Sequence, residues 1–211
     1  MTSWIQTGAN WMNSHFSWLF LYVMMGQVIK MKDLLMVLPR KMIQRRKPLP
    51  ERYEFVSYTK RFHGPWITLC KQAGYTAVEA EMFLQDPENI EENFVFVIDQ
   101  VTHKLVGLGG LIQDDAFLTK RSCIDCVSVD PSVQRQGIGS SIVSALVLKY
   151  ERKPSKYPIY VRTDIAYWPS IILFSRLGFT PYLGQSKQAT KKQNKKKWEH
   201  ATNVLREKTA S

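Results

Sequence analysis

The sequence predicts an α/β protein, of the α+β kind, in which helices cover the faces of one mixed β-sheet. Two observations predict this class. Short apolar runs typical of strands alternate with segments whose apolar residues recur at helical spacing. Strands dominate early in the order of these elements, and a strand–helix–strand unit follows. The length of 211 residues, 45% of them hydrophobic, suits one globular domain with some chain to spare.

Five segments are predicted to be strands, because each is an apolar or alternating run bounded by turn residues. They cover residues 53–58, 94–98, 105–112, 122–129 and 158–163. We expect the second and third to form a hairpin. Three glycines inside the third strand indicate a bulge or close packing there, namely Gly107, Gly109 and Gly110.

Four segments are predicted to be helices. A proline at the first helical position opens residues 65–74, and Thr76 caps the next helix with Glu79 as its capping-box partner. Residues 137–150 and 168–177 show apolar positions at helical spacing, and a glycine follows the last of them.

The positive charge is concentrated at the two ends of the chain. The formal net charge is +11, but residues 1–50 and 184–211 each carry +6, whereas residues 51–183 carry −1. This distribution disfavours a dedicated nucleic-acid-binding core. We expect a globular domain at 51–183 between an apolar, then basic, N-terminal extension at 1–50 and a basic tail at 184–211.

Residues 1–29 contain no charged side chain. Their most apolar run is shorter than the ~20 residues of a spanning helix, and it lacks the features of a cleaved signal peptide. Four interpretations stay open: a span, a helix on a membrane surface or partner, a helix packed on the domain, and a segment ahead of a later start at Met31. We expect a cytoplasmic protein with membrane association through residues 11–30.

The basic tail has six lysines between residues 187 and 197. Trp198, Ala201 and Leu205 then recur at helical spacing. The tail is therefore either a solvated charged segment or a basic amphipathic helix that contacts an acidic surface.

The strongest chemical signal lies in residues 127–143. A strand ends, a short loop follows, and a glycine-containing turn opens a helix. Gly137 and Gly139 allow a ligand close to the backbone, and the helix N-terminus offers unpaired N–H groups that suit a phosphate. Arg135 adds a cation. These features predict a pyrophosphate site, although a glycine turn before a helix is also an ordinary structural turn.

The same segment resembles the signature of the GCN5-related N-acetyltransferase (GNAT) superfamily. Gln134, Gly137 and Gly139 match its Q/R-x-x-G-x-G/A motif, and residues 127–131 resemble the strand and Asp-Pro that precede it. Residues 170–179 resemble the helix and turn that close the family's cofactor site. The agreement extends from about residue 51 to residue 182 and leaves both ends of the chain unexplained.

The resemblance implies a mostly antiparallel sheet with a V-shaped split between its fourth and fifth strands, where acetyl-coenzyme A (acetyl-CoA) binds as co-substrate. Backbone groups would pair with the pantetheine arm, the loop would hold the pyrophosphate, and a backbone N–H near Val129 would stabilise the oxyanion. The cofactor-binding residues so implied are Val127, Val129, Gln134, Arg135, Gln136, Gly137, Ile138, Gly139, Ser140 and Ser170.

The catalytic assignments rest on fewer residues. The family's usual general acid is a tyrosine at the position of Phe174. Tyr182, just beyond the turn, or Tyr167, just before the helix, is the candidate substitute, and the alternative is that both only pack. Asp125, in the fourth predicted strand, is the candidate general base, and its alternative is a structural acid.

Strict two-residue alternation in that strand would place Asp125 on one face with Cys123 and Val127, and Cys126 on the other. Cys123 and Cys126 would then point apart, so we expect no metal site from their spacing. Three cysteines are also too few for a disulfide framework, which suits a reducing compartment.

The sequence therefore predicts an acetyl-CoA-dependent N-acetyltransferase that acts directly on the amine of a small molecule or peptide. Phe174 motivates the alternative of a weak or inactive acyl-CoA-binding protein on the same fold. A third hypothesis is a basic membrane- or nucleic-acid-associated adaptor, and it rests on the charged ends alone. Of these partners, nucleic acid is disfavoured.

Overall fold

The strands lie within the part of the chain that a computed structural model describes, which is residues 34–43, 47–84, 87–155 and 157–210, without the side chains of residues 87–89. Residues 11–30, predicted to contact a membrane, lie outside these ranges. Within them, no helix combines the length and hydropathy that a membrane crossing requires.

The described residues form seven strands, which are β1 (Leu34–Leu38), β2 (Tyr53–Val56), β3 (Phe94–Asp99), β4 (Leu105–Asp114), β5 (Arg121–Val129), β6 (Ile159–Thr163) and β7 (Thr180–Pro181). They make one sheet in the order β2-β3-β4-β5-β6-β1-β7. Neighbouring strands are antiparallel except β5 and β6, which are parallel. The predicted mixed, mostly antiparallel sheet is confirmed.

The helices flank this sheet, and they are α1 (His63–Gln72), α2 (Ala77–Phe83), α3 (Pro87–Asn93), α4 (Ile138–Glu151), α5 (Trp168–Arg176) and α6 (Lys191–Ala210). The predicted capping box at the start of α2 is confirmed. The Glu79 N–H donates to Thr76 Oγ1 at 3.2 Å, and the Thr76 N–H donates to Glu79 Oε2 at 2.7 Å. The sequence did not predict α3.

The predicted hairpin is confirmed as β3 and β4. Asp99 holds its turn, because Asp99 Oδ1 accepts the Val101 N–H at 2.9 Å and Asp99 Oδ2 accepts from Arg52 Nη2 at 2.6 Å. The hydrogen bond from Arg52 lowers the pKa of Asp99 to about 2. The glycines of β4 allow close packing, as predicted, with Gly107 and Gly109 against α4 and Gly110 against Phe94. A Cβ on Gly109 would lie 2.7 Å from Ile142 Cγ2.

β1 lies inside the segment that the sequence placed in the N-terminal extension. It pairs with β6 from Leu34 opposite Thr163 to Leu38 opposite Ile159, and with β7 at Met36 on its other edge. The sheet therefore begins well before residue 51. A five-residue apolar run has no distinctive period, so its pairing with a strand 120 or more residues away is not visible locally.

α6 occupies the predicted basic tail and is packed against the sheet. Trp198 is 5% exposed and Ala201 is 1% exposed, and both join the core beside Met36 of β1. Asn194 Nδ2 donates to the Gly184 carbonyl at 2.7 Å, which fixes the first turns of the helix. α6 thus shares the main core with the sheet.

The core lies on both faces of the sheet. α4, α5 and α6 cover one face, where Met36, Ile142 and Phe174 are buried. α1 and α2 cover the other face around Trp66, which is completely buried and donates its indole N–H to the Ala80 carbonyl at 3.0 Å. The two layers position the loops that connect strands to helices.

Candidate active site in the split between β5 and β6

β5 carries a bulge at the point where it leaves β6. Between the pairs Leu108–Ser128 and Gly110–Asp125, β5 has one residue more than β4. The extra residue lies around Cys126, whose φ of 51° is in the left-handed region. β5 pairs with β6 before this bulge and not after it. The two strands, predicted as fourth and fifth, therefore part as expected.

Because of the bulge, the side chains of this strand do not keep the strict alternation between its two faces that the sequence predicted. Asp125 shares a face with Cys123, but Val127 lies on the opposite face and packs beside α4. Cys126 lies on the α1 face with its Sγ 3.1 Å from Cys70 Sγ. The expectation that Cys126 and Cys123 point apart is thus wrong, because one inserted residue reverses the side of every residue after it.

A cavity of about 70 Å³ lies in the split. Its walls come from β5, β6, α5 and the turn after α1. Four of the predicted site residues line it, which are Asp125, Val127, Tyr167 and Ser170. Three larger grooves among the described residues, of about 320, 450 and 570 Å³, contain none of the predicted site residues. The chemistry-bearing side chains therefore point to the split rather than to these larger grooves.

The Asp125 carboxylate is buried and hydrogen-bonded in the wall of this cavity. The residue is 6% exposed. Its Oδ1 accepts hydrogen bonds from Tyr75 Oη and, at 2.9 Å, from the Cys126 N–H. Such donors favour the ionised form of a buried carboxylate, which would otherwise be costly to bury.

Tyr75 reaches Asp125 from the turn between α1 and α2. Burial raises its pKa well above the ordinary value, and the charge on Asp125 raises it further, so the phenol stays protonated and acts as a donor. The turn depends on Gly74, which has a φ of +91°. A Cβ there would also meet Tyr167 Oη at 2.5 Å. Glycine therefore lets Tyr75 and Tyr167 approach the same cavity.

The loop after β5 positions the start of α4. Gly137 has a φ of +92°, which favours glycine, and no side chain caps the helix. The first backbone N–H groups of α4 therefore have no acceptor within the helix. A Cβ on Gly139 would make only ordinary contacts, at 3.5 Å from Leu173. Among the neighbouring residues, Ile138 is buried and Ser140 is half-buried.

The two glutamines of this loop hold it in place. Gln134 Nε2 donates to the Val129 carbonyl at 2.8 Å, and Gln136 Oε1 accepts from Tyr53 Oη at 2.7 Å. Arg135 lies between them with an exposed side chain and a φ of 65°. The predicted cofactor residues thus include two glutamines that brace the loop and one cation that faces solvent.

α5 and the turn before it form the other wall of the split. Ser170 Oγ lies 2.7 Å from Thr163 Oγ1 and donates to the Tyr167 carbonyl at 2.7 Å. Phe174, at the position of the family's usual acid, is buried, with its ring 5.2 Å from that of Phe179. Ser170 therefore links β6 to α5, and Phe174 supplies packing but no proton.

Of the three predicted catalytic residues, Asp125 and Tyr167 line the same cavity. Tyr182 is not among the residues that line the cavity. Its ring packs edge-on against Phe117, and its hydroxyl donates to the Gln185 carbonyl at 3.0 Å. The reason is topological, since the chain beyond α5 enters β7, which is separated from β6 by β1.

A sequence model of the Acetyltransferase (GNAT) family matches residues 58–179, which is more than half of the chain. The chain belongs to the GNAT family. The GNAT match contains the split, the glycine loop and α5, whereas β1, β2, β7 and α6 lie outside it. No curated protein matches the sequence.

Solved GNAT and related structures share the fold at low identity. A GCN5-related N-acetyltransferase from Sphaerobacter thermophilus aligns with a TM-score of 0.52 and 13% identity over 71% of this chain and 48% of that one. A Drosophila protein aligns with a TM-score of 0.52 and 14% identity over 71% of this chain and 47% of that one. A chain of the NatC complex bound to Gag peptide and CoA aligns with a TM-score of 0.50 and 15% identity, over 61% of this chain and 85% of that one. This chain spans about half the length of the first two.

The sequence did not point to two polar residues that line the cavity, Tyr75 and Arg162. Arg162 lines the cavity from β6 with 28% of its side chain exposed, and its Nε lies 3.5 Å from Asp114 Oδ2. The glycine before Tyr75 was a turn signal, but nothing local shows what the turn approaches. In the described ranges, no group of three or more His, Cys, Asp or Glu residues could hold a metal ion.

Proposed function

We propose that this chain is an acetyl-CoA-dependent N-acetyltransferase that transfers the acetyl group directly to the amine of a small molecule or peptide. The observation that carries the proposal is the split between β5 and β6. A buried, hydrogen-bonded carboxylate, Asp125, stands in its wall, and the family's glycine loop follows the same strand.

The residues present suit the co-substrate. Beyond the bulge, the backbone of Val127 and Val129 no longer pairs with β6, so it can pair with a pantetheine arm as with an added strand. The N–H groups at the start of α4 suit the pyrophosphate, with Arg135 as counter-charge. A side chain at position 139 would make only ordinary contacts within the protein, so packing does not require Gly139. Close approach of a phosphate to the backbone does require a glycine there.

The chemistry requires a neutral amine, and a free amine with a pKa of about 10.4 is mostly protonated at neutral pH. Asp125 is the proposed base, acting directly or through a water, and Tyr75 holds its carboxylate. A backbone N–H near Val129 stabilises the charge that develops on the thioester oxygen. The leaving thiolate, with a pKa of about 8.5, needs little help, and Tyr167 is the nearby hydroxyl that can protonate it.

The alternative of acyl-CoA binding without turnover is favoured by Phe174, which leaves the usual acid position without a hydroxyl. The discriminating measurement is thiol release from acetyl-CoA with a panel of small amines and peptides. We expect amine-dependent release with at least one class of acceptor. Tight CoA binding with no release across the panel would instead support the non-catalytic alternative.

The cofactor assignment is tested by Gly137→Glu. We expect this change to abolish CoA binding in calorimetry, because it places a carboxylate and a strained backbone at the pyrophosphate site. Gly137→Ala isolates the backbone strain from the charge. Gly64→Glu is the matched control, because Gly64 is also an exposed glycine with open space around it and lies outside this site. Unchanged affinity in Gly137→Glu would refute the assignment.

A further inference from the structure

The first turns of α6 carry lysines that acetyl transfer does not use. Residues 191–197 contain five lysines and no acid. We call the four exposed ones the lysine cluster, and they are Lys191, Lys192, Lys195 and Lys196. Within the described ranges, none of the four forms a salt bridge.

Two other basic residues of the charged ends have structural partners. Arg40 donates to the Ser155 carbonyl at 2.6 Å and lies over the Tyr150 ring. Lys187 forms an ion pair with Asp115. The lysine cluster has no such role, and positive charge in the first turns of a helix opposes the helix dipole. The stability of α6 therefore does not account for it.

The position of the cluster is fixed by two hydrogen bonds. Asn194, in the midst of the lysines, donates to the Gly184 carbonyl at 2.7 Å. Two residues earlier, the Tyr182 N–H donates to the Leu35 carbonyl of β1 at 2.8 Å. The start of α6 is thus tied to the β1–β7 edge of the sheet. In the sequence, the uncharged residues 1–29 end five positions before Leu34, the first residue of β1.

We propose that the lysine cluster binds the anionic headgroups of a lipid bilayer. Stable attachment to a membrane surface generally takes two signals, an apolar segment and a basic patch. The sequence of this chain contains both, since residues 1–29 are uncharged and largely apolar and α6 carries the lysine cluster. A nucleic acid would match the charge but would give the uncharged, apolar residues 1–29 no role. The proposal is independent of acetyl transfer.

The test uses the full chain and vesicles of phosphatidylcholine, alone or mixed with phosphatidylserine, in a sedimentation assay. We expect binding that requires phosphatidylserine and weakens with salt. In the variant with all four cluster lysines replaced by glutamine, affinity for the mixed vesicles should fall by about fivefold per lysine. Its affinity for CoA should be unchanged, because the cluster lies outside the split.

The matched control replaces four exposed lysines elsewhere by glutamine, at Lys60, Lys71, Lys104 and Lys120. This control loses the same charge and should bind the mixed vesicles nearly as the unaltered chain does. An equal loss of vesicle affinity in both variants would mean that only the net charge matters, and it would overturn the proposal. Unaltered vesicle binding by the cluster variant would also overturn it. So would a cluster variant that binds an RNA duplex less tightly than the unaltered chain but binds the vesicles equally well.

Discussion

Asp125 is the residue on which the proposed transfer depends most directly, because it is the buried carboxylate in the wall of the split. Asp125→Asn keeps the shape of the side chain but removes the base. We expect kcat for thiol release to fall by about 10²–10⁴-fold, the usual contribution of general-base catalysis. CoA affinity, measured by calorimetry, should not change. An unchanged kcat would assign Asp125 a structural role.

Tyr75 is a positioning residue for the same carboxylate, so its removal should have a smaller and different effect. Tyr75→Phe deletes the hydroxyl that donates to Asp125 and accepts the Cys126 N–H at 3.1 Å. We expect a smaller loss of kcat than in Asp125→Asn. The acidic limb of the pH–rate profile should move to higher pH, because the ionised carboxylate loses a donor. A lower kcat with an unmoved profile would indicate structural damage alone.

At this scale, the sequence identified Asp125 and the glycine loop but not Tyr75. Asp125 could be identified from the sequence because it lies in a strand whose end carries a family signature. Tyr75 is 50 positions away, and its hydrogen bond depends on how α1 packs on the sheet. The role of Tyr182 could not be judged either, because its distance from the split follows from the insertion of β1 between β6 and β7.

The β3–β4 hairpin should show a defined pH dependence through Asp99. Its pKa is about 2, below the ordinary 3.8, first because of the hydrogen bond from Arg52. The stabilisation is therefore present above the unfolded-state pKa and is lost as the pH falls towards about 2. We expect Asp99→Asn to lower Tm at neutral pH, and the difference from the unaltered chain to shrink across that interval.

Asp115→Asn is the control for this measurement. Asp115 pairs with Lys187 but is 56% exposed, so its loss should change Tm little at any pH. Circular dichroism melts at a series of pH values give both comparisons. A Tm difference for Asp99→Asn that persists unchanged to the acid end would exclude the ion pair as its source.

α6 should contribute to global stability through Trp198. The side chain is buried in the main core, so Trp198→Ala removes a large apolar contact area and leaves a cavity. We expect the free energy of unfolding in urea to fall by about 3–5 kcal/mol. His200→Ala, on the exposed side of the same helix, should change it by less than about 0.5 kcal/mol. Equal stability of both variants would mean that α6 is not part of the cooperative unit.

The elements that the sequence predicted are those with local signals. The capping box of α2, the β3–β4 hairpin and the glycine turn before α4 each follow from neighbouring residues. β1 and the docking of α6 follow from contacts between segments far apart in the sequence. The apolar run at β1 stands in a basic segment, and the apolar positions of α6 stand among lysines, so composition concealed both.

For the whole molecule, β1 completes the sheet beside β6, and α6 packs against its core. The family match at 58–179 stops short of β7 and excludes β1, yet β1 occupies the position between β6 and β7. The described residues fall in one compact unit that spans residues 32–211. We therefore propose that the domain starts near residue 32 rather than at 51, and that Arg40, Lys41 and the lysines of α6 belong to folded structure.

This boundary predicts the behaviour of two truncated chains. A chain of residues 32–211 keeps β1 and should unfold cooperatively in urea and bind CoA. A chain of residues 51–211 loses β1, which exposes one edge of β6, one edge of β7 and the partners of Trp198 in the core. We expect it to show a markedly smaller m-value or no cooperative transition, because less surface is buried. If the shorter chain instead unfolded with the same m-value and bound CoA equally well, β1 would be an accessory strand, and the domain would indeed start near residue 51.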